Sequence, residues 1–142
     1  MFRGLHEHSI DPKGRLSVPA RFRVDLTQLI LTTGIDPCLV AYTPAQWTAF
    51  ESKLAGLSQF DPAIVQLKRL YVAPATECDI DKHGRLLIPP VLRQYAGLEK
   101  ETVWAGMVTT LEIWAKDAWD ARMAASRDDR ASVARAMTEL GL

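Results

Sequence analysis

Apolar positions along most of this chain come in short runs, and only in places at helical intervals. His6–Ile10 reads as a strand, Asp11-Pro12-Lys13-Gly14 as a tight turn and Arg15–Val18 as the returning strand. Asp suits the start of such a turn, Pro fixes φ at the next position, and Gly accepts a positive φ at its end. Thr76–Ile80, Asp81-Lys82-His83-Gly84 and Arg85–Ile88 repeat the arrangement, so the pattern predicts a β-hairpin at each place. Pro19 and Pro89 stop the strands and open short helices, the second ended by Gly97. Gln28–Thr33 with Cys38–Tyr42, and Thr102–Gly106 with Leu111–Ala115, form further strand pairs.

Helical spacing appears between these runs. Thr43 caps a helix with Pro44 in its first position and Trp47, Phe50 and Leu54 on one face, and Gly56 ends it. Asp61-Pro62 starts another, carrying Ile64, Val65, Leu67 and Leu70 towards Pro74. Val133, Met137 and Leu140 fall on one stripe of a final helix capped by Asp128 or Asp129, and a frayed tail is the competing reading. The fold class expected is mainly β with flanking helices.

The two hairpin segments are one segment written twice. Residues 7–23 and 77–93 agree at eight of seventeen positions: Glu7/Glu77, Ile10/Ile80, Asp11/Asp81, Gly14/Gly84, Arg15/Arg85, Leu16/Leu86, Pro19/Pro89 and Arg23/Arg93. Downstream, Leu39, Trp47 and Val40–Tyr42 face Leu111, Trp119 and Glu112–Trp114 with two residues added, around Gly97–Lys100. A repeat sets the architecture. Each copy is too short to bury much core alone, so the two are expected to complete one another. The boundaries read as a first repeat over 1–51, a helical connector over 52–74, a second repeat over 75–121, and a C-terminal helix or tail over 122–142.

With 142 residues, 48% of them hydrophobic and 24% charged, the composition is that of an ordinary globular domain. No apolar run reaches the ~18 residues of a membrane span, and the N-terminus lacks the apolar stretch of a secretory signal. Cys38 and Cys78 are isolated, as expected of a reducing compartment. These features predict a cytoplasmic protein. The net charge is zero, yet it is unevenly spread. Residues 1–23 hold Arg3, Lys13, Arg15, Arg21 and Arg23 against Glu7 and Asp11. The second copy has no such excess.

These residues resemble one family. Met1-Phe2-Arg3-Gly4, the Asp11-to-Pro19 segment, the Glu77-to-Pro89 segment and Leu92-Arg93-Gln94-Tyr95-Ala96-Gly97 are similar to the bacterial MraZ proteins over roughly residues 1–120. Ala73-Pro74 departs from the pattern, standing where many members carry a Gly-containing pair. The resemblance implies tandem AbrB-like halves folded as a swapped-hairpin, double-ψ-type β-barrel. It implies a ring-forming, nucleoid-associated transcription factor that binds short direct repeats upstream of its own division and cell-wall operon, often as a repressor. The expected partners are double-stranded promoter DNA and further copies of the chain, with no membrane, cofactor, metal or small-molecule substrate.

The chemistry of the first hairpin fits that expectation. A two-stranded ribbon enters the major groove, and the planar guanidinium of Arg15 suits guanine O6/N7 or phosphate. Lys13, Arg3, Arg21 and Arg23 are placed to contact phosphates, as are the backbone N–H groups around Gly14. Asp11 can close the turn by pairing with Arg15, as a purely structural contact or to aim it. Asp81, Gly84 and Arg85 are read as structural, because Glu77, Asp79 and Asp81 cancel the local positive charge. Arg23 and Arg93 share a helix position and could serve subunit contacts.

Other chemistry is thin. His6 and His8 alternate along one strand face without a third ligand and are expected to be exposed; His83 is a turn residue. Trp47, Trp104, Trp114, Trp119 and Tyr71 read as packing residues. No nucleophile elbow, zinc-protease motif or phosphate-binding loop is present, so an enzyme is the least expected class. The competing functions are an AbrB-like antitoxin and a ring scaffold that binds no DNA.

Overall fold

A computed structural model describes all residues, Met1–Leu142. Its strands are β1 (Leu5–Ser9), β2 (Arg15–Ser17), β3 (Gln28–Thr33), β4 (Leu39–Tyr42), β5 (Thr76–Asp79), β6 (Arg85–Leu87), β7 (Glu101–Met107) and β8 (Thr110–Ala115). Its helices are α1 (Pro44–Ala55), α2 (Pro62–Leu67), α3 (Pro90–Tyr95), α4 (Lys116–Asp128) and α5 (Arg130–Leu140).

All pairing is antiparallel, but the partners are not those the turns suggest. β1 pairs with β7, β5 pairs with β3, and β2 pairs with β6. The predicted hairpins are therefore corrected. Each turn closes on itself, with Asp11 N–H donating to Arg15 C=O at 3.0 Å and Asp81 N–H to Arg85 C=O at 2.8 Å. The strands leaving each turn then diverge into different sheets. The first strand of each copy joins the other copy, and the second strands form a ribbon between them. This exchange resolves the size problem, since neither copy can complete its own ladders.

The larger sheet has the order β1-β7-β8-β4-β3-β5 and the smaller is β2-β6. β1 and β5 are open edges, so the ladders do not close the double-ψ barrel implied by the resemblance. The strand exchange remains, and the fold is mainly antiparallel sheet with flanking helices.

The core is drawn from equivalent positions of the two copies: Ile10, Leu16, Val18, Phe22, Leu39 and Ala41 from one, and Leu86, Ile88, Leu92, Leu111 and Ile113 from the other. Leu16 and Leu86 face each other across the ribbon and are fully buried, while Arg15 and Ser17 alternate to its outer side. Trp104 is fully buried and Trp47 and Trp114 nearly so; Trp119 and Tyr71 are half-buried.

The sequence signals at helix ends hold. Thr43 accepts from Gln46 N–H at 3.2 Å and Asp61 from Ala63 N–H at 2.9 Å. α2 widens into a π-helical turn over Lys68–Val72. There, the Leu70 and Tyr71 carbonyls accept the Thr33 and Thr32 hydroxyls, both at 2.5 Å, which fastens the connector to β3. After Pro19 only a single 3₁₀ turn forms, Ala20–Phe22, whereas α3 follows Pro89.

α4 is pinned to the sheet by ion pairs. Lys116 bridges Asp120 and Glu7, and Arg122 pairs with Asp36 while lying over the Trp114 ring. α5 is a full helix closed by Gly141 at φ +69°, so the frayed tail does not form. Its Val133, Met137 and Leu140 stripe stays exposed.

Candidate nucleic-acid interface

The first turn is built around one carboxylate. Asp11 Oδ1 accepts the backbone N–H groups of Lys13 and Arg15, both at 2.9 Å, and Oδ2 accepts Arg15 Nε at 2.6 Å. These three bonds fix the turn and orient the guanidinium together. They also hold the Asp11 carboxyl below the ordinary aspartate range, chiefly through the Arg15 backbone N–H. Arg15 Nη1 and Nη2 make no hydrogen bond within the chain, and the side chain is 37% exposed. The ion pair expected from the sequence forms, with Nε engaged and the outer fork without a partner in the chain.

The second turn repeats the backbone bonds but not the clamp. Asp81 Oδ1 accepts from His83 N–H at 2.8 Å and Arg85 N–H at 3.0 Å. Arg85 Nε lies 3.7 Å from Asp81 Oδ2 and has no hydrogen-bond partner although the atom is buried.

The remaining cations separate into groups. Lys13 is exposed beside Arg15. Arg3 and Arg21 line one surface hollow with Met1 and Phe22, where the Phe2 and Phe22 rings meet edge-to-face at 5.7 Å. That hollow lies at the other end of β1 from the turn, a strand length of roughly 17 Å. A single basic patch around Arg15 is therefore not what the fold makes. The backbone of Arg3 passes close over Gly106, where a β-carbon would stand 2.5 Å from Arg3 Cα.

Arg23 is not beside Arg15 either. Its guanidinium lies across Gly84, where a β-carbon would overlap Nη1 outright. Reciprocally, Arg93 lies across Gly14, with Cζ and Nη1 each 2.9 Å from where a β-carbon would stand. Gly14 and Gly84 have φ of +88° and +77°, so both turns need glycine for backbone and for space. The backbone is reciprocal too: Val18 N–H donates to Gly84 C=O at 2.9 Å and Ile88 N–H to Gly14 C=O at 2.8 Å.

This exchange alters the charge reading. Lys13 and Arg15 gather Arg93 from the second copy, and Lys82 and Arg85 gather Arg23 from the first. Arg93, expected from its helix position to serve subunit contacts, instead lies on the first turn. Its equivalence to Arg23, combined with the strand exchange, is the signal that locates it.

The histidines are also corrected. His6 and His8 are half-buried on the inward face of β1, not exposed. His6 packs edge-on against Phe22 at 4.8 Å, and burial lowers the His8 pKa, with His6 adding to the effect.

The model of the family described as "MraZ protein, putative antitoxin-like" matches residues 1–70 and again 71–140. The chain belongs to the MraZ family. Each match covers one turn and the β-strand pair that follows it. Among MraZ relatives, the transcriptional regulator MraZ of Pelotomaculum thermopropionicum is 45% identical over 143 aligned residues, covering 100% of this chain and 99% of that protein. The transcriptional regulator MraZ of Desulforamulus reducens is 47% identical over 84% of this chain and 85% of its own length. That of Acetivibrio thermocellus is 41% identical over the full length of both. No helix is long and apolar enough to cross a membrane.

Proposed function

We propose that this protein is a sequence-specific, DNA-binding transcriptional regulator that acts at the promoter of its own division and cell-wall operon, with repression as its main effect. Its relatives' name supports regulation of transcription. The observation that carries the DNA reading is the Arg15 fork: Nε held by Asp11 at 2.6 Å, both Nη groups without a partner, on an exposed turn next to Lys13. A bidentate guanidinium fixed in this way meets guanine O6/N7 or a phosphate without first losing rotamer freedom.

One such turn binds weakly, since modestly charged modules hold non-specific DNA with Kd around 10⁻⁴–10⁻⁶ M. Assembly into a ring multiplies it, because linked sites raise avidity by ~10²–10⁴. Direct repeats in the operator would then engage successive subunits. The exposed stripe of Val133, Met137 and Leu140 supports self-association, being apolar and uncovered in the single chain. The protein works in the cytoplasm on the nucleoid.

The test is binding to a duplex of its own upstream region at two salt concentrations, for the wild type and Arg15→Ala. Steep loss at high salt and a collapse of affinity in the variant are expected. A folded Arg15→Ala protein with wild-type affinity overturns the assignment.

A further inference from the structure

The first turn carries a guanidinium from the other repeat. Arg93 stands on α3, yet its Cζ and Nη1 lie against Gly14, between Lys13 and Arg15 in sequence. Two features of this contact bear on function. First, Arg93 makes no ion pair and none of its side-chain nitrogens hydrogen-bonds within the chain, although the residue is half-buried. An arginine has five N–H donors, and those of Arg93 are unspent within the chain while none is sealed from the outside, so they are open to a partner that is not part of it. Second, Lys13, Arg15 and Arg93 converge on a turn whose own carboxylate is Asp11, and Asp11 is already occupied by Lys13 N–H, Arg15 N–H and Arg15 Nε. Three cations around one engaged carboxylate repel one another until an anion joins them.

The geometry points to a composite phosphate site, made of Arg15 and Lys13 from the first repeat and Arg93 from the second, in which Arg93 contacts the nucleic-acid backbone beside the position read by Arg15. This rests on the DNA-binding reading above and assigns the partner of one further residue. The glycine at position 14 is part of the site: with any β-carbon there, the guanidinium could not lie flat on the turn. A backbone contact carries no sequence information, so Arg93 fixes register while Arg15 discriminates.

The site is tested with the full-length protein and two probes, a duplex of its own upstream region and an unrelated duplex of equal length, each titrated across a salt series. The variants are Arg93→Ala, Arg93→Lys and Arg15→Ala, with thermal melting as the check on folding. Arg93→Ala is expected to lose about tenfold in affinity for both duplexes alike, the scale of a charge-assisted hydrogen bond. Its salt slope should fall by about 0.9 for each contact removed. Arg93→Lys should recover most of the slope, because it keeps the charge, even if Arg93→Ala melts early. Wild-type affinity and slope in Arg93→Ala, alongside a weakened Arg15→Ala, overturn the composite site and leave the DNA reading standing. Lost affinity with an unchanged slope also overturns it, since Arg93 would then only support the turn. If the wild type binds neither duplex in a salt-dependent way, the DNA reading itself fails.

Discussion

Arg23 of the first repeat lies across Gly84 of the second, so closely that a methyl group at position 84 would overlap its guanidinium. Gly84→Ala therefore meets two penalties, the displaced arginine and a left-handed φ of +77°. The backbone cost alone is about 1–2 kcal/mol. The variant should melt several degrees below wild type, and Gly84→Ala combined with Arg23→Ala should recover part of that loss.

The clamp at the first turn makes a separate prediction. Asp11→Asn keeps the shape but removes the charge that holds Arg15 Nε and both backbone N–H groups. DNA affinity should fall by about tenfold or more as the Arg15 fork loses its aim, with only a modest change in melting temperature. Asp81→Asn, whose partner Arg85 Nε is 3.7 Å away, should cost less. Equal losses in the two variants would refute the distinction between the turns.

Acid should act on this fold through His8. Burial lowers its folded pKa, so the folded state binds fewer protons than the unfolded chain near the ordinary value of ~6.5. The stability of the neutral form is complete above that value and declines as pH falls through it. Melting between pH 7.5 and pH 5.5 should show a drop that His8→Gln abolishes. The Asp11 and Asp81 carboxyls, held low mainly by the Arg15 and Arg85 backbone N–H groups, contribute a further loss only below about pH 4.

Val108 offers a stabilising change. It sits at φ +71°, a region in which a β-branched residue is strained, and its side chain is exposed. Its backbone pairs with Phe2 in both directions, at 2.7 and 2.9 Å. Val108→Gly or Val108→Asn keeps those bonds and relieves about 1 kcal/mol. Melting temperature should rise by a few degrees; a fall would show that the valine side chain is needed.

The α5 stripe gives a test of assembly. Val133→Glu with Met137→Glu leaves every core residue in place, so circular dichroism and melting of the subunit should change little. Native mass should drop if the stripe joins copies, and operator affinity should fall with it. An unchanged native mass removes this face from the assembly.

What the sequence disclosed and what it withheld divide along the range of the interaction. Thr43, Asp61, Gly14, Gly84 and Gly97 act within a few residues of themselves, and their turns and caps were legible from type and spacing. The Asp11–Arg15 clamp was legible for the same reason. Strand partners were not: β1 pairs with β7 rather than β2, because a ladder partner is chosen by the whole core and not by the intervening turn. The misplacement of Arg23 follows from that exchange, whereas Arg3 and Arg21 stand apart from Arg15 because their hollow lies at the far end of β1. Arg23 and Arg93 each lie not on the turn they follow in sequence but on the other. His6 and His8 were read as exposed because an isolated strand has no inner side until its sheet is known.

The exchange also has a consequence during synthesis. His8 pairs with Thr102, and the Thr102 hydroxyl donates to the His8 carbonyl at 2.7 Å across 94 residues. A ribosome adding about 5–20 residues per second needs several seconds to make that distance. Until then the earliest strands emerge with bare edges and nothing in their own half to cover them. For this protein, translation of the final third is what ends the nascent chain's exposure to wrong partners.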